Sequence, residues 1–391
     1  MTTTTTAEGA RPPFWRDIRV LRVLAQLLAV GATVAIVSVI WFNLTNNLKA
    51  SGLTLGFDFI DEPFGVPIAG SDLSPGAAIW RALLIGLQNT FALVIVGIPL
   101  ITIIGILVGV GRLSTNWLVA KASAVYVEVL RNTPPLLVIV FAFNAVFLAL
   151  PLISDPINLS DLVIINNRFI AIASLSNLEG SGVFWSVVAG ALVLAVVVWV
   201  WRTQRFDRTG EPHHRVLWSL ALLIGIGVVA YFALGAPVRL SRPQLEGRVL
   251  TGGISGLTAF FAMLVALVLY TASHVAEIVR GSIQAVPKGQ TEAANALALS
   301  GLQRLRHVVL PQAMRIAIPP VISQYLNYTK NTSLGIAVGY AEVTVVVFQA
   351  IGNGQPAPQL IFLLMLGYLA FSLVISALVN VLNRRLQYVT N

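Results

Sequence analysis

The chain has 391 residues, of which 57% are hydrophobic and 10% are charged, and its mean hydropathy is +0.83. Soluble domains carry about 25% charged residues, so this composition excludes an ordinary soluble domain and predicts a polytopic membrane protein. The sequence contains no cysteine, which excludes disulfides, thiolate metal ligands and thiol catalysis.

Eight apolar segments are long enough to cross a bilayer, because a spanning helix needs about 20 residues. They predict an all-α membrane protein with about eight transmembrane helices. The predicted spans are 21–43, 84–111, 133–153, 183–201, 216–236, 254–275, 316–341 and 359–382. The apolar stretch 118–153 is too long for one perpendicular helix at about 1.5 Å per residue, and Glu128 and Arg131 indicate where it enters the membrane.

The distribution of basic residues predicts the orientation, since cytoplasmic loops of membrane proteins are enriched in Lys and Arg. With the N-terminus inside, 17 of the 25 basic residues lie in cytoplasmic segments and six in outer segments, while Arg131 and Lys330 lie in or near the membrane. We therefore predict that both termini are cytoplasmic and that residues 1–20 form a cytoplasmic tail. The net charge of +9 then reflects topology, and no nucleic-acid partner is expected.

Motifs for enzymatic chemistry are absent from the sequence. It contains neither a phosphate-binding loop of the form G-x-x-x-x-G-K-[S/T] nor an H-E-x-x-H zinc motif. His213 and His214 lie in a basic cytoplasmic hairpin and are expected to be solvated. We therefore predict that the chain is not an enzyme and holds no cofactor of its own.

The longest polar interruption in the apolar second half runs from His274 to Leu334. Its centre reads Glu292-Ala293-Ala294, three residues, Ala298, nine residues, and then Val308-Val309-Leu310-Pro311. Four further motifs surround this centre in order: AEIVRG at 276–281, PKGQ at 287–290, LPQ at 310–312 and KNTSL at 330–334. A polar segment of this kind lies outside the bilayer and is expected to contact a partner in water.

This spacing resembles the EAA loop of ABC importer permeases, and the surrounding motifs resemble the polar amino-acid uptake family, which includes histidine, glutamine and arginine permeases. The resemblance covers 84–153 and 254–382 and implies a five-helix, type I permease core in two parts, 84–153 and 254–391, with the coupling loop at about 287–311. Residues 21–83 would add a first helix and a periplasmic loop. Residues 154–253 would add periplasmic loops around a helix pair at 183–236. An insertion of that size resembles the larger, Q-type permease of general L-amino-acid importers.

The resemblance implies that the loop couples the permease to an ATPase. Alanine-rich sequence favours a helix here, with Thr291 as N-cap, Ser300-Gly301 as its end and Leu310-Pro311 as the end of a second segment. The family has Gly where this chain has Ala298, so either the turn shifts to Gly301 or the helix continues through Ala298. The alternative is an amphipathic loop lying on the membrane. The predicted ATPase-coupling residues are Glu292, Ala293, Ala294, Leu297, Ala298, Gly301, Leu310 and Pro311.

Lys330 is the main candidate for a residue of the transport path. It lies about 22 Å along a helix from Arg315 and about 18 Å from Glu342, inside a hydrocarbon core that is about 30 Å thick. An intramembrane lysine is costly and is expected to face protein or water, where it could bind a substrate carboxylate. A structural ion pair or a packing contact is the alternative. The predicted path residues are Asn327, Lys330, Asn331, Thr332, Ser333, Arg131, Asn132 and Thr133, because Arg131-Asn132-Thr133 echoes Lys330-Asn331-Thr332.

Two other functional classes are less consistent with the sequence. A stand-alone secondary transporter or channel usually carries Asp, Glu or His within its spans, whereas Glu128, Glu277 and Glu342 are predicted near span ends. A membrane-bound enzyme lacks a candidate site. The resemblance implies an inner-membrane subunit with four kinds of partner. These are an ATPase dimer carrying ATP and Mg²⁺, a second and different permease, a periplasmic amino-acid-binding protein and an L-amino acid substrate.

Overall fold

The computed structural model describes residues 15–50, 56–178, 181–209 and 214–387, so most of the predicted N-terminal tail and His213 lie outside the described residues. The described chain is mainly helical, because backbone groups in hydrocarbon must find their hydrogen bonds within the chain. Its helices are α1 (Ile18–Ala50), α2 (Ile79–Gly111), α3 (Trp117–Arg131), α4 (Pro135–Phe141), α5 (Ser181–Thr209), α6 (Arg215–Ala233), α7 (Thr258–Gln284), α8 (Lys288–Ala296), α9 (Gly301–Arg304), α10 (Leu310–Asn331), α11 (Val343–Gly352) and α12 (Ala357–Gln387).

The prediction of an all-α membrane protein with about eight spans is confirmed. Six of the described helices are long and apolar enough to cross a membrane, and the number rises to eight if each of two bent pairs is one span. The first bent pair joins α3 to α4 and its π-helical extension to Phe147, at an angle of 104°. Pro134 and Pro135 cause this elbow, since a proline disfavours helical geometry in the residue before it.

The second break follows α10, where the sequence predicted one continuous span over 316–341. A 3₁₀ helix runs from Thr332 to Val338, and Gly339 then adopts a left-handed conformation with φ of 67° before α11 begins. Glu342, which the sequence placed near a span end, is instead fully buried and caps α11 by accepting a hydrogen bond from the Val345 amide at 3.0 Å. The hydroxyl of Tyr368 on α12 donates a second hydrogen bond to Glu342, at 2.8 Å.

Helix α7 lies at the centre of the main core, between α2, α10 and the α3–α4 elbow. Glycines on α2 let the two backbones approach closely: a Cβ on Gly105 would lie 2.5 Å from Val275, and one on Gly109 would lie 2.7 Å from the Ala276 carbonyl oxygen. Small residues serve this purpose in membrane helix packing generally, because the lipid provides no hydrophobic drive for association. The inserted helices α5 and α6 pack against each other.

Short strands lie on either side of the α5–α6 pair, in segments that the sequence predicted to be periplasmic loops. They form a four-stranded antiparallel sheet of order β1-β2-β3-β8 and two separate two-stranded pairs, β4–β5 and β6–β7. The strands are β1 (Ile157–Leu159), β2 (Val163–Ile165), β3 (Phe169–Ile172), β4 (Ser174–Asn177), β5 (Val238–Ser241), β6 (Gln244–Glu246), β7 (Val249–Thr251) and β8 (Ile254–Leu257). Pairing between β3 and β8 brings the two ends of the insertion together.

The packing of α2 against α10 can be tested at Gly97. A Cβ there would lie 1.9 Å from the Tyr328 hydroxyl, which is fully buried and donates a 2.7 Å hydrogen bond to the Leu93 carbonyl. We expect Gly97→Ala to destabilise the purified protein by about 1–3 kcal/mol in thermal unfolding, the usual cost of overpacking. Gly227→Ala is the control, because no atom lies within 4 Å of its Cβ position. Equal melting of the two variants would contradict this packing.

Candidate functional site

The polar loop between α7 and α10 is held together by side-chain hydrogen bonds between its short helices. Gln312, in the first turn of α10, donates through Nε2 to Gln290 of α8 at 3.2 Å. Arg304 of α9 donates through Nη1 to Asn295 of α8 at 2.5 Å. Helix α8 is therefore bonded to α9 and to α10, the helix that carries Lys330.

The turn after α8 is a complete Schellman motif with alanine in the position usually held by glycine. Ala298 has a φ of 53°. Its amide donates to the Asn295 carbonyl at 2.9 Å, and the Leu299 amide donates to the Ala294 carbonyl at 3.1 Å. Both alternatives drawn from the sequence are therefore wrong: the turn does not shift to Gly301, and the helix does not continue through Ala298.

Three other details of the loop differ from the sequence prediction. Thr291 lies inside α8, which begins at Lys288 after Pro287, so Glu292 is beyond the first turn. Ser300 begins α9 rather than ending α8, in a capping box with Gln303. Pro311 lies in the first turn of α10, which continues from α9 without a break through a π-helical segment over Leu305–Val309, so Leu310-Pro311 does not stop the helix.

Most of the predicted coupling residues are exposed on the loop between α7 and α10. The exceptional residue is Ala294, which is 2% exposed and faces the protein. Leu297 and Leu302 are each 75% exposed, and an exposed leucine pair in one short loop is typical of a protein contact. The exposed residues among the predicted set are Glu292, Ala293, Leu297, Ala298, Gly301, Leu310 and Pro311.

A polar cluster inside the helical core is organised by α7. The carboxylate of Glu277 is paired with Arg112 of α2 and with Arg280 one turn along α7, the latter at 2.5 Å. Arg131, the last residue of α3, lies 3.9 Å from the same carboxylate. One carboxylate thus lies between the ends of α2 and α3 and the side of α7, next to the elbow.

Two cavities meet at His274. The first, of about 260 Å³, is lined by Arg112, Val127, Glu128, Arg131, Asn132, His274 and Glu277. The second, of about 310 Å³, is lined by Pro135, Tyr270, Thr271, His274, Gln324, Asn327, Lys330 and Asn331. The two segments that echo each other in sequence therefore lie on either side of one histidine.

Lys330 is exposed in the isolated chain and has no carboxylate within 4 Å among the described residues, unlike the three arginines around Glu277. Besides Pro135, its neighbours in the cavity are amides, hydroxyls and the imidazole of His274. The cavity therefore offers a cation with no paired carboxylate, surrounded by hydrogen-bonding groups, which is suited to an anionic ligand group.

Three predicted path residues do not line either cavity. Thr332 is fully buried, and its hydroxyl donates to the Thr329 carbonyl at 2.7 Å. The Ser333 hydroxyl donates to the Lys330 carbonyl at 2.8 Å, and the Thr133 hydroxyl donates to the Val129 carbonyl at 2.8 Å. In this conformation, these side chains bond to their own helices.

The sequence analysis assigned no role to His274, Glu277, Tyr270, Arg112 or Gln324. One signal was available: Tyr270, His274 and Glu277 follow one another at helical spacings of four and three residues on an otherwise apolar helix. Such a polar stripe on a predicted span indicates a face turned away from lipid.

Comparison with known proteins gives the family of the chain. Residues 214–388 match the family model described as binding-protein-dependent transport system inner membrane component. The chain is 37% identical over 375 residues to the general L-amino acid transport system permease protein AapQ of Rhizobium johnstonii, covering 95% of this chain and 94% of that protein. It is 34% identical over 378 residues to the glutamate/glutamine/aspartate/asparagine transport system permease protein BztB of Rhodobacter capsulatus, covering 87% and 88% respectively.

The left-handed conformation of Ala298 allows the local stability of the turn after α8 to be predicted. Replacing Ala298 with glycine removes a backbone cost of about 1–2 kcal/mol, partly offset by the greater entropy of glycine in the unfolded chain. We expect Ala298→Gly to slow hydrogen exchange of the Ala298 and Leu299 amides about fivefold, corresponding to about 1 kcal/mol. Ala296→Gly, within α8, should speed exchange instead, since glycine weakens a helix interior. Changes of the same sign in both variants would contradict the left-handed assignment.

Proposed function

The chain belongs to the permease subunits of amino-acid ABC transporters, and we propose that it forms half of the path by which L-amino acids enter a bacterial cell across the inner membrane. The observation that carries the proposal is the similarity to AapQ over 95% of the chain, which includes the inserted helices as well as the core. A stand-alone secondary transporter is disfavoured by the same similarity. Secondary transporters usually carry acidic residues within their spans, and Glu342 is a buried acid. Its hydrogen bonds with Val345 and Tyr368 indicate, however, that it caps α11.

ATP hydrolysis belongs, in this proposal, to a separate ATPase dimer that carries ATP and Mg²⁺. The exposed Leu297 and Leu302, with Glu292 beside them, form the surface that contacts it. Closure of the ATPase pair would move α8, and the bonds from α8 to α9 and α10 would carry that motion toward Lys330. This is the arrangement needed for alternating access.

The orientation and the other partners follow from the same proposal. The loop between α7 and α10 lies in the cytoplasm, both termini lie on that side, and the strands lie in the periplasm beneath an amino-acid-binding protein. A second permease, expected to be a different chain, would complete the path, because Lys330 and Asn327 in the cavity wall are exposed in the isolated chain.

The substrate carboxylate is placed at Lys330. Every amino acid carries a carboxylate, so a cation that binds this group would serve substrates with different side chains. Asn327, Asn331 and Gln324 supply neutral hydrogen-bonding groups around it. Arg131, on the other side of His274, is partly engaged by Glu277 and offers a second cation deeper toward the cytoplasm.

The test is Lys330→Met in the complete transporter, with substrate-stimulated ATP hydrolysis and uptake as readouts. We expect uptake of all amino acids tested to fall at least tenfold while the complex still assembles, because the shared carboxylate contact is lost. Lys330→Arg should retain part of the activity, since it keeps the charge. Lys121→Met, at the exposed cytoplasmic part of α3, is the matched control and should transport normally.

Persistence of uptake with unchanged apparent affinity for several amino acids would show that Lys330 does not hold the carboxylate. Loss of assembly in Lys330→Met would favour the alternative of a structural ion pair with the second permease. Failure of the wild-type chain to assemble with any ATPase would contradict the proposed function itself.

A further inference from the structure

One face of the four-stranded sheet consists of aliphatic side chains only. Residues directly opposite each other in antiparallel strands point to the same side of the sheet. The pairings Ile157↔Ile165 and Ile165↔Ile170 place three isoleucines in one row. The pairings Leu159↔Val163, Val163↔Ile172 and Ile172↔Ile254 place four aliphatic residues in the next row of the same face.

This face is the uncovered one. On the opposite face, Ile164 is 2% exposed and Ala171 is fully buried, so that side packs on the protein. On the aliphatic face, Ile254 is 60% exposed, Leu159 is 52% exposed and Ile172 is 48% exposed. Antiparallel sheets that pack on one side normally present polar side chains on the other, whereas the uncovered face of this sheet is aliphatic.

The sheet lies at or beyond the outer edge of the hydrocarbon. It is bonded to the first residue of α7, whose Thr258 amide donates to the Arg168 carbonyl at 3.0 Å. From the charged group at Arg280, near the inner edge, α7 rises about 33 Å to Thr258 at about 1.5 Å per residue. This exceeds the hydrocarbon thickness of about 30 Å. An aliphatic face of this kind in an aqueous setting is typical of a protein contact.

We propose that this aliphatic face is the docking surface for the soluble substrate-binding protein, contacting an apolar patch beside the mouth of its binding cleft. The inference rests on the proposed function for the orientation of the chain. Strand β8 leads directly into α7, and β1 follows the segment after α4, so a protein seated on the sheet would lie over the outer ends of α4 and α7, two of the three helices that line the Lys330 cavity. The matched family is itself described as binding-protein-dependent.

The dimensions of the face suit a contact that forms and dissociates in each transport cycle. Four strands spaced by about 4.8 Å, each of three or four residues at about 3.3 Å, give a patch of roughly 15 Å by 10 Å. This is well below the roughly 800 Å² that each partner buries in a stable complex. The patch can therefore form the apolar core of a weak interface, with the exposed Asp161, in the turn between β1 and β2, at its edge.

The experiment uses the complete transporter in nanodiscs, with the purified binding protein titrated in the presence of saturating substrate. Ile254→Asp places a charge on the proposed face, and Val249→Asp is the matched control, since Val249 is 63% exposed but lies on β7, outside the four-stranded sheet. We expect the binding-protein concentration that gives half-maximal stimulation of ATP hydrolysis to rise at least tenfold in Ile254→Asp and to stay unchanged in Val249→Asp. Both side chains are largely exposed, so both variants should co-purify with the ATPase.

Equal titrations for wild-type protein and Ile254→Asp would overturn the inference while leaving the proposed function standing. Absence of any stimulation in the wild-type transporter would instead contradict the proposed function.

A fluorophore attached to an Ile254→Cys variant shows which partner covers the face, and its emission should change when binding protein is added. Quenching of the fluorescence by spin-labelled lipid would assign the face to the membrane surface and overturn the proposal. A change in fluorescence on removal of the second permease would assign the face to that subunit and would also overturn the proposal.

Discussion

The carboxylate of Glu277 is the point at which three helices of the permease are joined. Arg112 and Arg280 pair with it directly, and Arg131 lies at 3.9 Å. Because Arg131 is the last residue of α3, this contact sets where the chain turns into α4, and the prolines at the elbow set the sharpness of that turn. Asn132 and Pro135 are thereby brought beside His274, so the walls of both cavities depend on one ion-pair cluster at the inner end of α7.

Lys330 differs from the arginines of this cluster in having no carboxylate partner among the described residues. The arginines around Glu277 share a carboxylate, whereas Lys330 has none among the described residues, although it lies about 22 Å along α10 from Arg315 by helix rise. A cation at this depth is unfavourable unless water, protein dipoles or an anion stabilises it. The break of α10 next to Lys330 is held by Glu342 and Tyr368, so the position of the free cation is fixed by a buried polar network on its outer side.

The parts of the fold that the sequence could predict are those determined by local properties. Apolar length predicts the spans, and the spacing around Glu292 predicts a short coupling helix, because both depend on residues close together in the chain. The left-handed Ala298 was missed because propensity argues against alanine there, and the backbone bonds to Asn295 and Ala294 outweigh that preference. The burial of Glu342 was missed because its partner, Tyr368, lies 26 residues away.

The strands and the site were harder to predict from the sequence, because they too depend on contacts between residues far apart in the chain. The sheet depends on pairing between β3 and β8, which are separated by two membrane helices, and strands of three or four residues leave little periodicity to read. Lys330 and Arg131 could be found singly as intramembrane cations, and their echoing sequences suggested a common role. That both lie beside His274 follows only from the packing of α3, α4 and α10 around α7, which a single sequence does not specify.

Orientation in the membrane is the claim on which the coupling surface, the path and the docking face all depend. The chain has no cysteine, so single cysteines report accessibility without background. Gly289 on α8 and Val249 on β7 are both exposed, which makes them a suitable pair. In intact spheroplasts, an impermeant thiol reagent should label Val249→Cys at once and should label Gly289→Cys only after permeabilisation. Labelling of Gly289→Cys from outside would contradict the account.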